Sequence, residues 1–294
     1  MTAATTRAFR FGVNMVAMGG RSDWVDKCRR AEELGYDVIG APDHLGLPAP
    51  FPALVLAAEA TERVRLCPYV INTSFYNPAL LAREVAGTDQ LVDGRLELGL
   101  GTGYVKAEFD AAGLPFSAPG ERIDHLANTI AELRTHFAEG APRPAQQPGP
   151  PLLLAGQRDR MLRLAAREAD IVGFSGVRFN RDGSSATLAG PRELAQRVDF
   201  VRAEAGDRFE EIELNVLIQK VVVTDDRATA LDQLRQYSPD LSAEEIGEVP
   251  ILLAGTAEQI AEQVLAQRKA FGFSYVTVHE PDLETFARVI RLLR

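Results

Sequence analysis

Residues Arg21–His44 read RSDWVDKCRRAEELGYDVIGAPDH. Trp24, Val25, Cys28, Ala31 and Leu34 recur at the spacing of one helix face, and Ser22 stands where it can cap that helix. Gly35 ends it. Tyr36–Ala41 continues as a short apolar strand, and the polar pair Asp43-His44 follows. A helix, a glycine, an apolar strand and a polar strand end make one αβ unit.

Upstream, Phe9–Met15 (FRFGVNM) is a first strand. Downstream the unit repeats: a helix over Pro52–Glu62, a strand over Arg65–Asn72, a helix opened by Pro78, a turn at Asp93-Gly94 and a strand over Arg95–Gly101. Ile123, Leu126, Ile130, Leu133 and Phe137 mark a long amphipathic helix. Gly140–Pro151 (GAPRPAQQPGPP) cannot continue it and reads as a stiff connection. Further strands are expected over Pro151–Ala155, Asp170–Ser175, Ile212–Val223 and Ser274–His279. Helices are expected over Arg158–Ala169, before Ala205, from Arg227, from a capping box at Thr256 and Gln259, and at the C-terminus.

Eight apolar strands separated by amphipathic helices imply a parallel sheet covered by helices. A closed (β/α)8 barrel suits that number better than an open doubly wound sheet. Chemistry then belongs at the carboxyl ends of the strands: Asn14, Asp43-His44, Val70–Thr73, Gly101–Tyr104, Ala155–Gln157, Ser175-Gly176, Val223–Asp225 and His279-Glu280.

The chain of 294 residues can bury a large core without disulfides or metal. Its 32 Lys and Arg against 41 Asp and Glu leave a net charge of −9, which argues against nucleic acid or an anionic membrane as partner. Cys28 and Cys67 give no disulfide framework or metal spacing, so a reducing cytoplasm is expected. No signal-peptide core opens the sequence, and the charge-free stretch Leu66–Ala82 holds two prolines and is no membrane span.

His44, at a strand end, can exchange a proton near neutrality, and Asp43 can orient it or bind a cofactor heteroatom. Gly99-Leu100-Gly101-Thr102-Gly103 is either a ligand cradle or a tight turn; it lacks the third glycine of a dinucleotide fingerprint. Ala155-Gly156-Gln157 leads into a helix N-terminus, a setting for an anion. Arg122 and His125 read as a solvated face, His279 as a second acid or base or a structural residue, and His136 carries no function. No nucleophile elbow, zinc motif or P-loop lysine is present.

The ordered set AEELGYDVIG (Ala31–Gly40), Asp43-His44, NPALLARE (Asn77–Glu84), DGRLELGLGTG (Asp93–Gly103) and AGTAE (Ala254–Glu258) resembles the bacterial luciferase-like monooxygenase superfamily. RLAAREADIVG (Arg163–Gly173) and SYVTVH (Ser274–His279) are similar to its branch that uses the deazaflavin coenzyme F420. The resemblance implies one (β/α)8 TIM-barrel domain over residues 1–294, with loop insertions at the C-terminal face and the cofactor at that mouth.

By this resemblance His44 is the catalytic proton donor or acceptor, and Asp43 also touches the ring. Tyr69 and Val70 lie at a third-strand bulge, where many relatives hold a non-proline cis peptide, with Asn72 beyond. Gly101, Thr102, Gly103, Tyr104, Ala155, Gly156, Gln157, Ser175 and Gly176 flank the ring and its phosphate chain. Glu108 matches a glutamate frequent in the superfamily. Tyr104 replaces the catalytic glutamate of the glucose-6-phosphate dehydrogenases of this class, so a sugar-phosphate reaction is not expected.

The expected function is hydride transfer between F420 and a small organic substrate carrying a C=C, C=N, carbonyl or alcohol group. The alternatives are a two-component monooxygenase using reduced FMN and a catalytically silent flavin-binding barrel. No metal is expected, and a homodimer is implied by the resemblance alone. The substrate pocket is expected from Gly19–Arg21, Leu45–Phe51, Val177–Gly190 and Tyr237–Val249.

Overall fold

Apolar runs of four or five residues, too short to be helices, assemble side by side as strands. The structure, a computed structural model, describes residues 7–179, 186–239 and 241–294. In chain order the strands are β1 (Arg10–Asn14), β2 (Val38–Ala41), β3 (Arg65–Pro68), β4 (Ile71–Asn72), β5 (Leu98–Gly101), β6 (Leu152–Ala155), β7 (Ile171–Phe174), β8 (Val177–Phe179), β9 (Ala186–Leu188), β10 (Glu213–Leu217), β11 (Lys220–Val223), β12 (Leu252–Gly255) and β13 (Tyr275–His279).

Nine of them form one sheet in the order β3-β2-β1-β13-β10-β7-β6-β5-β4. The first and last members are halves of one run, Arg65–Asn72, divided at Tyr69-Val70, whose peptide is cis. β3 pairs in parallel with β2, β4 pairs in parallel with β5, and Leu66 bridges Leu96 just before β5. The sheet therefore closes on itself, and the eight expected strands form a (β/α)8 barrel.

The amphipathic helices cover the cylinder. In the helix Pro119–Glu139, Leu126, Ile130, Leu133 and Phe137 are buried, each at about 1.5–3 kcal/mol. In Asp159–Glu168 the buried residues are Met161, Leu162, Ala165 and Ala166. Val38, Cys67, Leu153, Ile171 and Tyr275 form a separate core cluster, against which Tyr69 and Val70 pack. The capping box at Thr256 and Gln259 is present, whereas the helix Arg21–Glu33 starts from Gly20 with Ser22 already inside it. No helix among the described residues is long and apolar enough to cross a membrane.

The expected strand Ile212–Val223 is two strands. β10 stays in the barrel; then Ile218 N–H donates to Thr277 O and Gln219 N–H to Ile251 O, which carries the chain outward. β11 pairs with β12 in a separate two-stranded parallel sheet. Periodicity could not show this turn, because Val and Ile continue on both sides of it. β8 and β9 pair as an antiparallel insertion after β7. Residues 180–185 of the expected pocket stretch Val177–Gly190 lie outside the described residues.

The amino end of the barrel is packed with charge. Arg10 pairs with Glu97 and, at 2.5 Å, with Glu213; Arg65 Nε lies 2.8 Å from Glu97 Oε1. The Arg10 guanidinium also stacks 4.7 Å from the centre of the Tyr275 ring.

Candidate active site

The carboxyl ends of the barrel strands surround a cavity of about 530 Å³. Asp43, His44, Tyr69, Val70, Asn72, Gly101, Thr102, Gly103, Tyr104, Glu108, Ala155, Gly156, Gln157 and Ser175 line it. Gly176 does not; turned to satisfy both ends, the Gln157 amide oxygen accepts its N–H at 2.8 Å and that of Ser175 at 3.1 Å. The wall also includes Asn14, Val16, Leu47, Phe174, Val177, Leu217, Gln219 and His279. Asn14 and His279 were marked by their strand-end positions alone. Gln219 was hidden inside what read as continuous strand. Of the loops expected to build the pocket, Leu45–Phe51 contributes Leu47 and Val177–Gly190 contributes Val177; Gly19–Arg21 and the described part of Tyr237–Val249 stand apart from this cavity.

The broken third strand makes the floor. Tyr69 Oη–H donates to Asn215 Oδ1 at 2.6 Å, and Asn215 Nδ2 donates to Thr277 Oγ1 at 2.9 Å, a polar chain that fixes the phenol. The glycines at the end of β5 and just beyond it serve this floor. A Cβ on Gly101 would stand 2.7 Å from a Val70 methyl, and one on Gly103, at φ +67°, would stand 2.4 Å from the Asn72 amide. Both are needed because protein side chains already fill that space, although both also face the cavity.

Asp43 is hydrogen-bonded to the end of the divided strand. Its Oδ2 accepts the Asn72 N–H at 2.9 Å, tying the end of β2 to β4, and burial raises its pKa above the usual carboxylate value. The partner of His44 is Glu108, whose Oε1 lies 2.8 Å from Nδ1. Glu108 is set by the short helix Lys106–Ala112, and the Tyr104 ring meets the imidazole edge-on at 5.9 Å between centroids. No local pattern signals a contact between residues 64 positions apart.

Elsewhere on the wall, Asn14 Oδ1 is buried with no hydrogen-bond partner among the described residues. His279 has its pKa lowered by burial, which favours the neutral ring. His125 Nε2–H donates to Thr73 O at 3.0 Å and so braces the loop after β4. Arg122 is not solvated. It is buried, with its guanidinium 4.2 Å from the centre of the Phe116 ring and a hydrogen bond to Ser117 O. His136 lies in the last turn of its helix.

Comparison with known proteins adds to this geometry. The chain is 30% identical to an F420-dependent glucose-6-phosphate dehydrogenase of Intrasporangium calvum, over 89% of its own length and 90% of the relative's. An F420-dependent secondary alcohol dehydrogenase, solved in complex with an F420-acetone adduct, superposes with a TM-score of 0.77 at 18% identity, covering 98% of both chains. The coenzyme F420-dependent tetrahydromethanopterin reductase of Methanopyrus kandleri also gives 0.77 at 18% identity, over 98% of this chain and 100% of that one. These two likenesses show the shared fold. The luciferase-like monooxygenase family model matches residues 4–275, and the chain belongs to that family.

Proposed function

We propose that the chain is an F420-dependent oxidoreductase in which His44 exchanges the proton that accompanies hydride transfer to or from a small organic substrate. The carrying observation is the imidazole of His44 on the wall of a largely apolar cavity, in a chain that aligns with an F420-dependent relative along 89% of its length.

The residues present suit a planar ring system. Val70, Phe174, Val177 and Leu217 supply apolar wall, and Asn14 Oδ1 is a buried acceptor that a ligand N–H or O–H would satisfy. Tyr69 and Val70 would back one face of the ring, with Asp43, Asn72 and the segment Gly101–Tyr104 at its edges. Ala155, Gly156, Gln157, Ser175 and Gly176 would hold the polar chain. When bound, a deazaflavin supplies a two-electron hydride donor or acceptor that reacts poorly with oxygen. The protein's part is to hold the substrate carbon in register and to take or give a proton at His44. Asp43 and Glu108 place two carboxyl groups on the wall beside His44, which favours a substrate without phosphate, with a C=C, C=N, carbonyl or alcohol group.

Titration of the purified protein with F420 and with FMN tests the reading, followed by anaerobic turnover on a panel of those substrate types. F420 binding with substrate-dependent turnover is expected. Tight FMN binding with NADPH-coupled oxygen uptake would instead support a two-component monooxygenase, and F420 binding without any turnover a silent barrel.

A further inference from the structure

Nδ1 of His44 faces Glu108 Oε1 at 2.8 Å, and both residues line the cavity. An ionised carboxylate can only accept, so Nδ1 must carry the proton in this contact. In the neutral ring Nε2 then keeps its lone pair and is the nitrogen left for a ligand. The other ionisable groups facing this pair are Asp43, the neighbouring residue, and Tyr104, whose ring packs on the imidazole. Glu84 acts on Asp43 as a like charge, as does Glu108. Asp43 Oδ2 is committed to the Asn72 amide, while Glu108 Oε1 is hydrogen-bonded to the imidazole.

We propose that Glu108 is the positioning residue of this site: its carboxylate holds His44 as the Nδ1–H tautomer and thereby assigns Nε2 to the proton that moves. The identity of the reaction rests on the F420 reading; the tautomer does not. The step is a proton transfer only. An Nε2–H bond forms as a substrate O–H, N–H or C–H bond breaks, or the reverse, and neither His44 nor Glu108 gains or loses electrons. The imidazolium so formed has an N–H at each nitrogen, and the Glu108 charge stabilises it.

The test starts with protein free of cofactor. The chain has four histidines, so selective ¹⁵N labelling gives a small set of imidazole signals, with those of His44 identified by their loss in His44→Ala. Above neutrality the wild-type protein is expected to show His44 as Nδ1–H. Glu108→Ala should release it to the Nε2–H form or to a mixture. Glu108→Gln keeps an accepting oxygen of the same reach, so it should retain the tautomer and guard against a folding defect in the alanine variant. An Nε2–H signal in the wild type, or an unchanged tautomer in Glu108→Ala, would overturn the proposal.

With F420 bound, Glu108→Ala should lower kcat by ~10–100-fold with cofactor Kd within about twofold of wild type. Glu108→Gln should move whichever limb of the kcat–pH profile His44 sets to lower pH, because the protonated ring has lost its counter-charge. A merely structural role would lower thermal stability and leave tautomer and profile in place. Failure of F420 to bind the wild type would remove the cofactor reading and leave the tautomer result standing.

Discussion

The two ends of the barrel both pair a carboxylate with a basic side chain, and they do it for different ends. At the amino end Glu97 is 1% exposed and serves Arg10 and Arg65 together, while Arg10 also reaches Glu213. Guanidinium does not titrate in this setting, so the positive charges are permanent and the network fills space. At the carboxyl end one imidazole meets one carboxylate, with side chains 34% and 20% exposed, beside an open cavity. Imidazole can change its charge near neutrality. The same electrostatic contact is a fixed strut where the base is arginine and the carboxylate is buried, and one that can take up or give a proton where the base is histidine beside a cavity.

The largest effect is expected at the strut. Glu97→Gln removes the carboxylate that Arg10 and Arg65 share, leaving Arg10 only Glu213, and should cost about 3–5 kcal/mol, read as a fall in Tm of roughly 10 °C. F420 affinity of the folded fraction should be unchanged. A fall of under about 3 °C would mean that water already screens the pair. At the other end the signs reverse. His44→Ala should cut turnover by ~100-fold or more with cofactor binding retained and little change in Tm. Near-normal turnover would remove His44 from the chemistry.

Tyr69→Phe probes the layer between the ends. It removes the donor to Asn215 Oδ1, a buried acceptor, and should cost about 1–2 kcal/mol in chemical denaturation. No measurable loss would show that Asn215 finds another donor. The smallest effect belongs to His279, whose pKa is lowered by burial from the ordinary 6.5. The unfolded chain then binds the proton more readily. The contribution is full above 6.5 and is lost as pH falls through the lower folded value. Tm should decline on mild acidification, and His279→Asn should flatten part of that decline.

Much of the scaffold can be read locally. Each barrel strand is a short apolar run between helices of period 3.6, and its polar end follows from chain direction alone. The strand ends therefore located most of the cavity wall. What could not be read depends on partners far along the chain. Arg122 resembles any charged residue on a helix until Phe109 and Phe116 close over it. Glu108 meets His44 only after β2 and β5 are two places apart in a closed cylinder, with the divided third strand between them. The departure of β11 from the barrel depends on amide partners at Thr277 and Ile251.

The divided third strand also has a mechanical consequence. β3 pairs with β2 and bridges the β5 side at Leu66, whereas β4 pairs with β5, so this run is the clasp of the hoop, and its Tyr69 and Val70 line the cavity. A molecule seated there adds contacts on both sides of the join and draws it tighter. Amide hydrogen exchange at Leu66 and at Ile71 is therefore expected to slow in concert when the cavity fills, although neither backbone group need touch what fills it.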